Sequence, residues 1–156
     1  MLYPVRTAHT VRLAEPDDVE TLLQLCAEHA AFEHAPCEAD GKPAKLTAAL
    51  FGAIPKVRAW VAILRDQMVG YATATEDFST WLAAPFLHMD CLFVRPAHRN
   101  SGIGAVLLST VVQYAKDRGL GEVQWQTPVW NTDAVRFYLR HGASAQQKVR
   151  FRLLIE

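Results

Sequence analysis

No stretch of this sequence approaches the roughly 18 consecutive apolar residues that a membrane-spanning helix needs. Its first residues, MLYPVRTAHTVRL, also lack the apolar run and small-residue cleavage site of a secretion signal. A cytoplasmic protein is expected. Net charge is absent as well, since 16 basic side chains balance 16 acidic ones. Sequence-independent binding to nucleic acid or to an anionic membrane needs a basic face that neutralises phosphates, so neither partner is expected. Cysteine is scarce: Cys26, Cys37 and Cys91 form no CxxC pair and leave an odd thiol. That argues against a disulfide framework and against a cysteine zinc site, and no metal is expected. Internal repeats and low-complexity tracts are missing too. What is present is 156 residues, 51% of them hydrophobic, which suits one compact domain over residues 1–156.

Periodicity organises the chain. Val11 to Leu13 reads as a short strand, and Glu15-Pro16-Asp17-Asp18 supplies a proline and acids fit for a helix start. Val19, Leu22, Leu23 and Cys26 then keep helical spacing in a helix from about Asp17 to Phe32. A loop over His34 to Pro43 leads to a second short helix, Ala44 to Phe51. Ala59 to Leu64 and Met68 to Thr75 are rich in Val, Ile, Tyr and Thr and flank Arg65-Asp66-Gln67 as a β-hairpin. Phe86 to Val94 is the next strand. A helix with Ile103, Val106, Leu107, Val111 and Tyr114 on one face runs until Gly119. Glu122 to Thr127 reads as a strand, Thr132 to His141 as a helix capped by Asn131 and ended at Gly142, and the alternating Val149, Phe151, Leu153 and Ile155 as a closing strand. Strands interleave with helices but hairpins are also present, so the expected class is α+β with a mixed sheet.

The chemistry concentrates where a strand runs into a glycine-rich turn. Arg99-Asn100-Ser101-Gly102-Ile103-Gly104 follows the strand ending at Val94 and opens a long helix. A helix start offers unpaired N–H groups and partial positive charge, and glycine lets a phosphate approach the backbone. Such a turn can hold a pyrophosphate, or it can serve as a tight turn and nothing more. Neither the Walker loop nor the dinucleotide fingerprint matches, because no Lys-Ser/Thr follows and no acidic residue stands at the required distance.

Arg99 to Gly104, an Arg-x-x-Gly-x-Gly loop, resembles the coenzyme A pyrophosphate loop of the GNAT superfamily of N-acetyltransferases. The segment from Asn131 through Ala134, Phe137 and Tyr138 to Gly142-Ala143 is similar to a second block of that superfamily, and with Trp130 it looks most like the diamine (spermidine/spermine) acetyltransferase branch. The resemblance implies the GNAT fold, a central, mostly antiparallel twisted sheet flanked by helices, with acetyl-CoA as co-substrate and no metal. It implies that Leu92, Phe93 and Val94 form a splayed strand pairing with the pantetheine arm. Asn100, Ser101, Gly102, Ile103, Gly104 and Ala105 would cradle the pyrophosphate with Arg99 contributing charge beside it, and Asn131 and Ala134 would line the far side of the cofactor. Asn100 stands where glycine is frequent, and asparagine tolerates left-handed geometry better than most residues.

Catalysis is assigned by the same resemblance. Tyr138 would protonate the departing thiolate, a task open to a phenol of pKa about 10; the plain alternative is a tyrosine packing its helix. An acceptor ammonium must first lose a proton, and Asp90 stands where the branch has a glutamate, with His88 two residues earlier as another base. Glu33, Trp81, Gln124, Trp125 and Gln126 match acceptor-facing positions. Ser79 replaces an aspartate of the branch, which suggests a smaller or amino-acid-like amine rather than a long polyamine. Direct transfer to a small primary amine is expected. Cys91 as an acyl carrier is the weaker scheme, because a central-strand thiol is buried. A homodimer is implied, and an acyl-CoA sensor without transferase activity is the alternative function.

Overall fold

The structure is a computed structural model and describes residues 8–38 and 40–155. The chain divides into two compact units, Met1–Gln126 and Thr127–Glu156. In order, the first contains β1 (His9–Leu13), α1 (Val19–Phe32), α2 (Lys42–Phe51), β2 (Arg58–Leu64), β3 (Gln67–Ser79), β4 (Ala84–Val94), α3 (Ile103–Asp117) and β5 (Val123–Gln124). The second contains α4 (Thr132–Arg140). Among the described residues no helix is long and apolar enough to cross a membrane.

One sheet of order β1-β2-β3-β4-β5 organises the first unit. Its first three pairings are antiparallel and β4–β5 is parallel, so the expected mixed, mostly antiparallel sheet is found. The turn between β2 and β3 is tight. Arg65 and Asp66 both take left-handed backbone angles, φ 49° and 60°, which match the twist of the strands they join.

Alternation along the strands decides which helix meets which face. Val61, Tyr71 and Phe93 share a core with Leu22 and Leu25 of α1 and Leu50 of α2. The neighbouring positions turn the other way, toward α3, whose Ile103, Leu107, Leu108 and Val111 are buried. Trp60 accordingly meets Tyr114 edge to face at 5.2 Å. Gly70 is required by close approach: a Cβ there would lie 2.8 Å from the Phe93 carbonyl oxygen and 3.4 Å from Leu107 Cδ1. The chain packs β3 against β4 and α3 without a side chain at that point.

Two expected strands differ. The one read over Glu122 to Thr127 pairs with β4 only at Val123 and Gln124, because Leu87 and His88 are the β4 residues within its reach. The closing strand is not formed: Val149, Phe151, Leu153 and Ile155 are each more than 75% exposed, and no strand among the described residues pairs with them. Alternation offers a face to bury, but a strand also needs a neighbour to complete its hydrogen bonds.

Candidate active site

The turn at the start of α3 has the conformation its sequence demands. Gly102 is left-handed at φ 88°, and Asn100 adopts φ 59°, the geometry that asparagine tolerates. The first helical hydrogen bond runs from the Val106 N–H to the Gly102 carbonyl at 3.1 Å, so the N–H groups of Ile103, Gly104 and Ala105 precede the ladder. No side chain caps this end. The hydroxyl of Ser101 donates back to the His98 carbonyl at 2.6 Å. Arg99 folds inward rather than out: its Nε donates to the Val94 carbonyl at 2.8 Å, and its guanidinium lies over the rings of Phe32 and Phe93 at 4.7 and 5.6 Å.

The strand that leads into this turn is open along one edge. β4 pairs with β3 through Val94, where Leu92, Phe93 and Val94 oppose Ala72, Tyr71 and Gly70. On its other side β4 pairs with β5 only at Leu87 and His88. Among the described residues the β5-side edge from Met89 to Val94 has no strand partner.

A β-bulge lies at the middle of that open stretch. Thr73 opposes Cys91 and Ala74 opposes Met89, which leaves Asp90 as the extra residue. The bulge breaks alternation. Met89 is buried, the Asp90 carboxylate is two-thirds exposed, and His88 Nε2 approaches it to 3.9 Å. Cys91 turns into the core under α1, 3.7 Å from Asp90 Oδ2. Burial, and next the Asp90 charge, push the Cys91 thiol up to about 12. It is a thiol and not a thiolate near neutral pH, which makes it a poor nucleophile.

Glu33 ends α1, and it is no simple solvated carboxylate. Its Oε1 lies 3.2 Å from His29 Nε2, and His29 Nδ1 lies 2.9 Å from the buried hydroxyl of Tyr71. His29 also stacks on Phe93 at 5.0 Å. Sequence reading missed His29 and Tyr71. Burial, followed by the nearby Cys91 and Cys26 thiols, drives the Tyr71 phenol far above its usual range. Asp90, Cys91, Tyr71, His29 and Glu33 are thus brought to one face of the sheet. Glu76 is not part of this group, since it binds Arg118 at 2.8 Å.

The remaining positions are placed as follows. Gln124 is exposed and donates to Glu122 at 2.6 Å, Trp125 is half-buried and Gln126 is exposed. Trp81 stands 93% exposed in the turn after β3. Ala84, at the near end of β4, is already about 20 Å of extended strand from Asp90. The fold of the first unit therefore keeps Trp81 away from Asp90. In the second unit the Asn131 side chain accepts from the Ala134 N–H at 3.3 Å, the expected N-cap. Gly142 is left-handed at φ 87°, as expected past a helix end. Tyr138 is half-buried beside Phe137, their rings edge to face at 5.2 Å.

An open strand edge, a helix start without a side-chain cap and the Asp90 carboxylate at the bulge thus lie along one strand–turn–helix segment. The acetyltransferase (GNAT) family model matches residues 19–143, and the chain belongs to that family, whose members use acetyl-CoA. It is an N-acetyltransferase. Among its relatives is a thialysine N-epsilon-acetyltransferase of Caenorhabditis elegans, 27% identical over 123 residues, or 79% of this chain and 75% of that protein. An L-ornithine N5-acetyltransferase of Arabidopsis thaliana is 31% identical over 88 residues, or 56% of this chain and 39% of that one. The fold matches an aminoglycoside N-acetyltransferase solved with CoA, at TM-score 0.79 and 18% identity, over 98% of this chain and 99% of that chain.

Proposed function

We propose that the protein moves an acetyl group from acetyl-CoA to the terminal primary amine of a small, flexible molecule, a diamine or an amino acid with a distal amine. The observation that carries this reading is the unpaired β5-side edge of β4, which runs from the Asp90 bulge to the uncapped start of α3. Relatives acting on thialysine and on ornithine support the acceptor class.

The residues fit the donor by its chemistry. A pyrophosphate takes the free N–H groups of Ile103, Gly104 and Ala105, with Asn100, Ser101 and Gly102 shaping the turn and Arg99 supplying charge behind it. Leu92, Phe93 and Val94 present backbone donors and acceptors to the amides of the pantetheine arm. Asn131 and Ala134 are two further cofactor-binding residues in this reading.

Direct transfer needs three proton movements. Asp90 accepts the proton of the acceptor ammonium, leaving a lone pair to form the new C–N bond. As the C–S bond breaks, Tyr138 donates its phenolic proton to the leaving sulfur, and the second proton, lost by the newly acylated nitrogen, passes through water to restore the phenol. Glu33, Gln124, Trp125 and Gln126 attract and orient the cationic acceptor, and His88, 3.9 Å from Asp90, is the alternative base. The protein works as a homodimer in this reading, an assembly that would cover the exposed Phe78, Trp81 and Leu82 at the β3–β4 turn.

Thiol release from acetyl-CoA across diamines, ω-amino acids, aminoglycosides and arylamines tests the function. Turnover is expected on primary alkyl amines, with ω-amino acids and short diamines ahead of spermine. Tight CoA binding with no turnover on any amine would overturn transferase activity in favour of an acyl-CoA sensor. Sedimentation at micromolar concentration tests the dimer.

A further inference from the structure

Glu33 is held at both its backbone and its carboxylate by His29, one helical turn earlier. Its N–H donates to the His29 carbonyl at 3.0 Å as α1 ends, and its Oε1 lies 3.2 Å from His29 Nε2. The imidazole is itself fixed. It stacks on Phe93 with ring centroids 5.0 Å apart, and its Nδ1 lies 2.9 Å from the hydroxyl of Tyr71, which is buried in the core with Leu22 and Leu25 of α1. A carboxylate only accepts hydrogen bonds, so Nε2 carries the hydrogen toward Glu33, and in the neutral ring Nδ1 accepts from Tyr71. A charged ring would donate to Glu33 all the same. The hold on the carboxylate is therefore independent of the ring's charge.

This arrangement is more than packing requires. Apolar rings in place of His29 and Tyr71 would fill the same space, since buried polar pairs return little beyond their own desolvation. What the polar pair adds is direction. Oε1 of Glu33 is engaged, while Oε2 has no partner among the described residues. The Glu33 side chain is 30% exposed against 13% for His29, so the oxygen that is left over is open to a solute and its anchor is not. A glutamate ordinarily gives up rotamer freedom when it binds a partner; here that freedom is already lost in the folded protein, and a cation meets a preset acceptor. The end of α1 adds to the attraction. A helix C-terminus carries partial negative charge, which disfavours an acid there and favours a cation. A carboxylate kept at this end by a histidine held in turn by Tyr71 points to a positively charged ligand.

We propose that His29 and Tyr71 are positioning residues that lock Glu33, so that its remaining oxygen takes the second, non-reacting ammonium of a doubly cationic acceptor. The inference rests on the acetyl-transfer reading, in which Asp90 on β4 takes the proton of the reacting ammonium and leaves Glu33 on α1 for the other one. The acceptor class narrows accordingly. It carries two ammonium groups, as in a short diamine or in an amino acid whose α-ammonium stays free while its distal amine reacts. A monoamine lacks the second contact.

Diaminobutane and butylamine differ in that second ammonium and serve as probes with the full chain. The parent should use the diamine with kcat/KM about tenfold or more above the monoamine, the worth of one hydrogen bond to a charged group. His29→Phe keeps a ring against Phe93 and removes the donor. It should raise KM for the diamine about five- to tenfold as preorganisation is lost, and leave kcat and the KM values for butylamine and acetyl-CoA within about twofold. His29→Gln, whose amide donates to Glu33 in place of the ring, should recover most of the loss. Tyr71→Phe frees the imidazole without removing it and should give a smaller rise, about two- to threefold. Glu33→Gln should match or exceed His29→Phe, and in that background His29→Phe should add nothing, because the histidine acts through the carboxylate. Equal losses on diamine and monoamine, additive losses in the double variant, or a His29→Gln no better than His29→Phe would each overturn the proposal. Calorimetric binding of diaminobutane to the CoA-bound protein supplies a readout that needs no turnover. If no amine is acetylated while diaminobutane binds and His29→Phe weakens it about fivefold or more, the acetyl-transfer reading fails and the locked carboxylate stands. Turnover with a diamine KM indifferent to His29→Phe is the reverse result. A diamine that neither binds nor reacts overturns both.

Discussion

The Cys91 thiol sits beside the Asp90 carboxylate, 3.7 Å away across the bulge of β4, and that neighbour helps to keep it protonated. Acyl transfer through Cys91 would need a thiolate. With the thiol pushed up to about 12, the thiolate fraction at pH 8 is about 10⁻⁴, so the side chain is shielded both by burial and by protonation. Iodoacetamide at pH 8 should label Cys91 at least tenfold more slowly in the folded protein than in urea. Double-reciprocal plots should intersect, and parallel lines with acetyl label retained on Cys91 would restore the covalent scheme.

Gly102 is needed for its backbone angle and not for space. A Cβ there meets nothing within 4 Å, yet φ is 88°. Gly102→Ala should cost about 1 kcal/mol in stability, the usual strain of a left-handed L-residue. By tilting the N–H groups of Ile103 and Gly104 it should also raise KM for acetyl-CoA severalfold. Asn100→Gly relieves the same strain at φ 59° and should leave stability equal or slightly higher. Chemical denaturation and initial rates measure both.

Gly70 gives the opposite case, a demand for space. The Cβ of Gly70→Ala would lie 2.8 Å from the Phe93 carbonyl oxygen and 3.2 Å from Val94 Cγ2. Backbone cannot rotate away as a flexible side chain can, so β3 and β4 must separate. A loss of about 2–3 kcal/mol is expected, typical of overpacking in a tight core. Urea denaturation reads it directly. A midpoint within error of the parent would show that the two strands part easily at this point.

How much of this was legible beforehand depends on the range over which each feature is determined. The left-handed Gly102 and Gly142, the Asn131 cap and the Arg65–Asp66 turn are set by one or a few neighbouring residues, and the sequence states them openly. The bulge at Asp90 arises from the register between two strands, so Leu87-His88-Met89-Asp90-Cys91 read alone suggests even alternation. His29 was invisible for a stronger reason. Its partner Tyr71 is 42 positions away, and on α1 a lone histidine among Leu25, Cys26 and Phe32 looks like any polar residue of an amphipathic helix. Glu33 was singled out for the acceptor, but its tie to the imidazole four residues earlier emerges only with that second contact. The C-terminal alternation misled, because periodicity records a face to be covered and not the strand that covers it.

Tyr138 carries the most direct test of the second proton movement. Tyr138→Phe removes one hydroxyl and keeps the ring that meets Phe137, so α4 should fold as before. Loss of a general acid typically lowers turnover about 10²-fold or more when the leaving group is poor. A thiolate leaves more readily than an amine or alkoxide, so about tenfold to a hundredfold is expected here. KM for acetyl-CoA should change less than twofold. Unchanged turnover would remove this tyrosine from the mechanism.

The pH dependence of stability should be led by Asp18. Its carboxylate accepts two bonds from the Arg12 guanidinium, at 2.6 and 3.0 Å, and one from the Glu15 N–H at 2.7 Å. Arg12 holds the acid below its ordinary 3.8 against the opposing effect of burial. An acid depressed in the folded state stabilises the fold fully above its unfolded value and ceases to do so as pH falls through the folded one. Stability should therefore be level from neutral pH to about 5 and decline below about 4. Glu28 with Arg95 and Glu76 with Arg118 add smaller declines of the same sign, since these carboxyls are also lowered by their arginines and are more exposed. Asp18→Asn should cost about 1 kcal/mol at pH 7, because Arg12 is itself partly solvated. Its deficit should shrink as pH falls below about 4, where protonation of the unfolded chain erodes the parent's advantage, and vanish only below the lowered folded-state value. Urea midpoints of the two proteins between pH 3 and 7 measure this, and a deficit that stays constant across that range would show that Asp18 acts through the backbone bond to Glu15 and not through its charge.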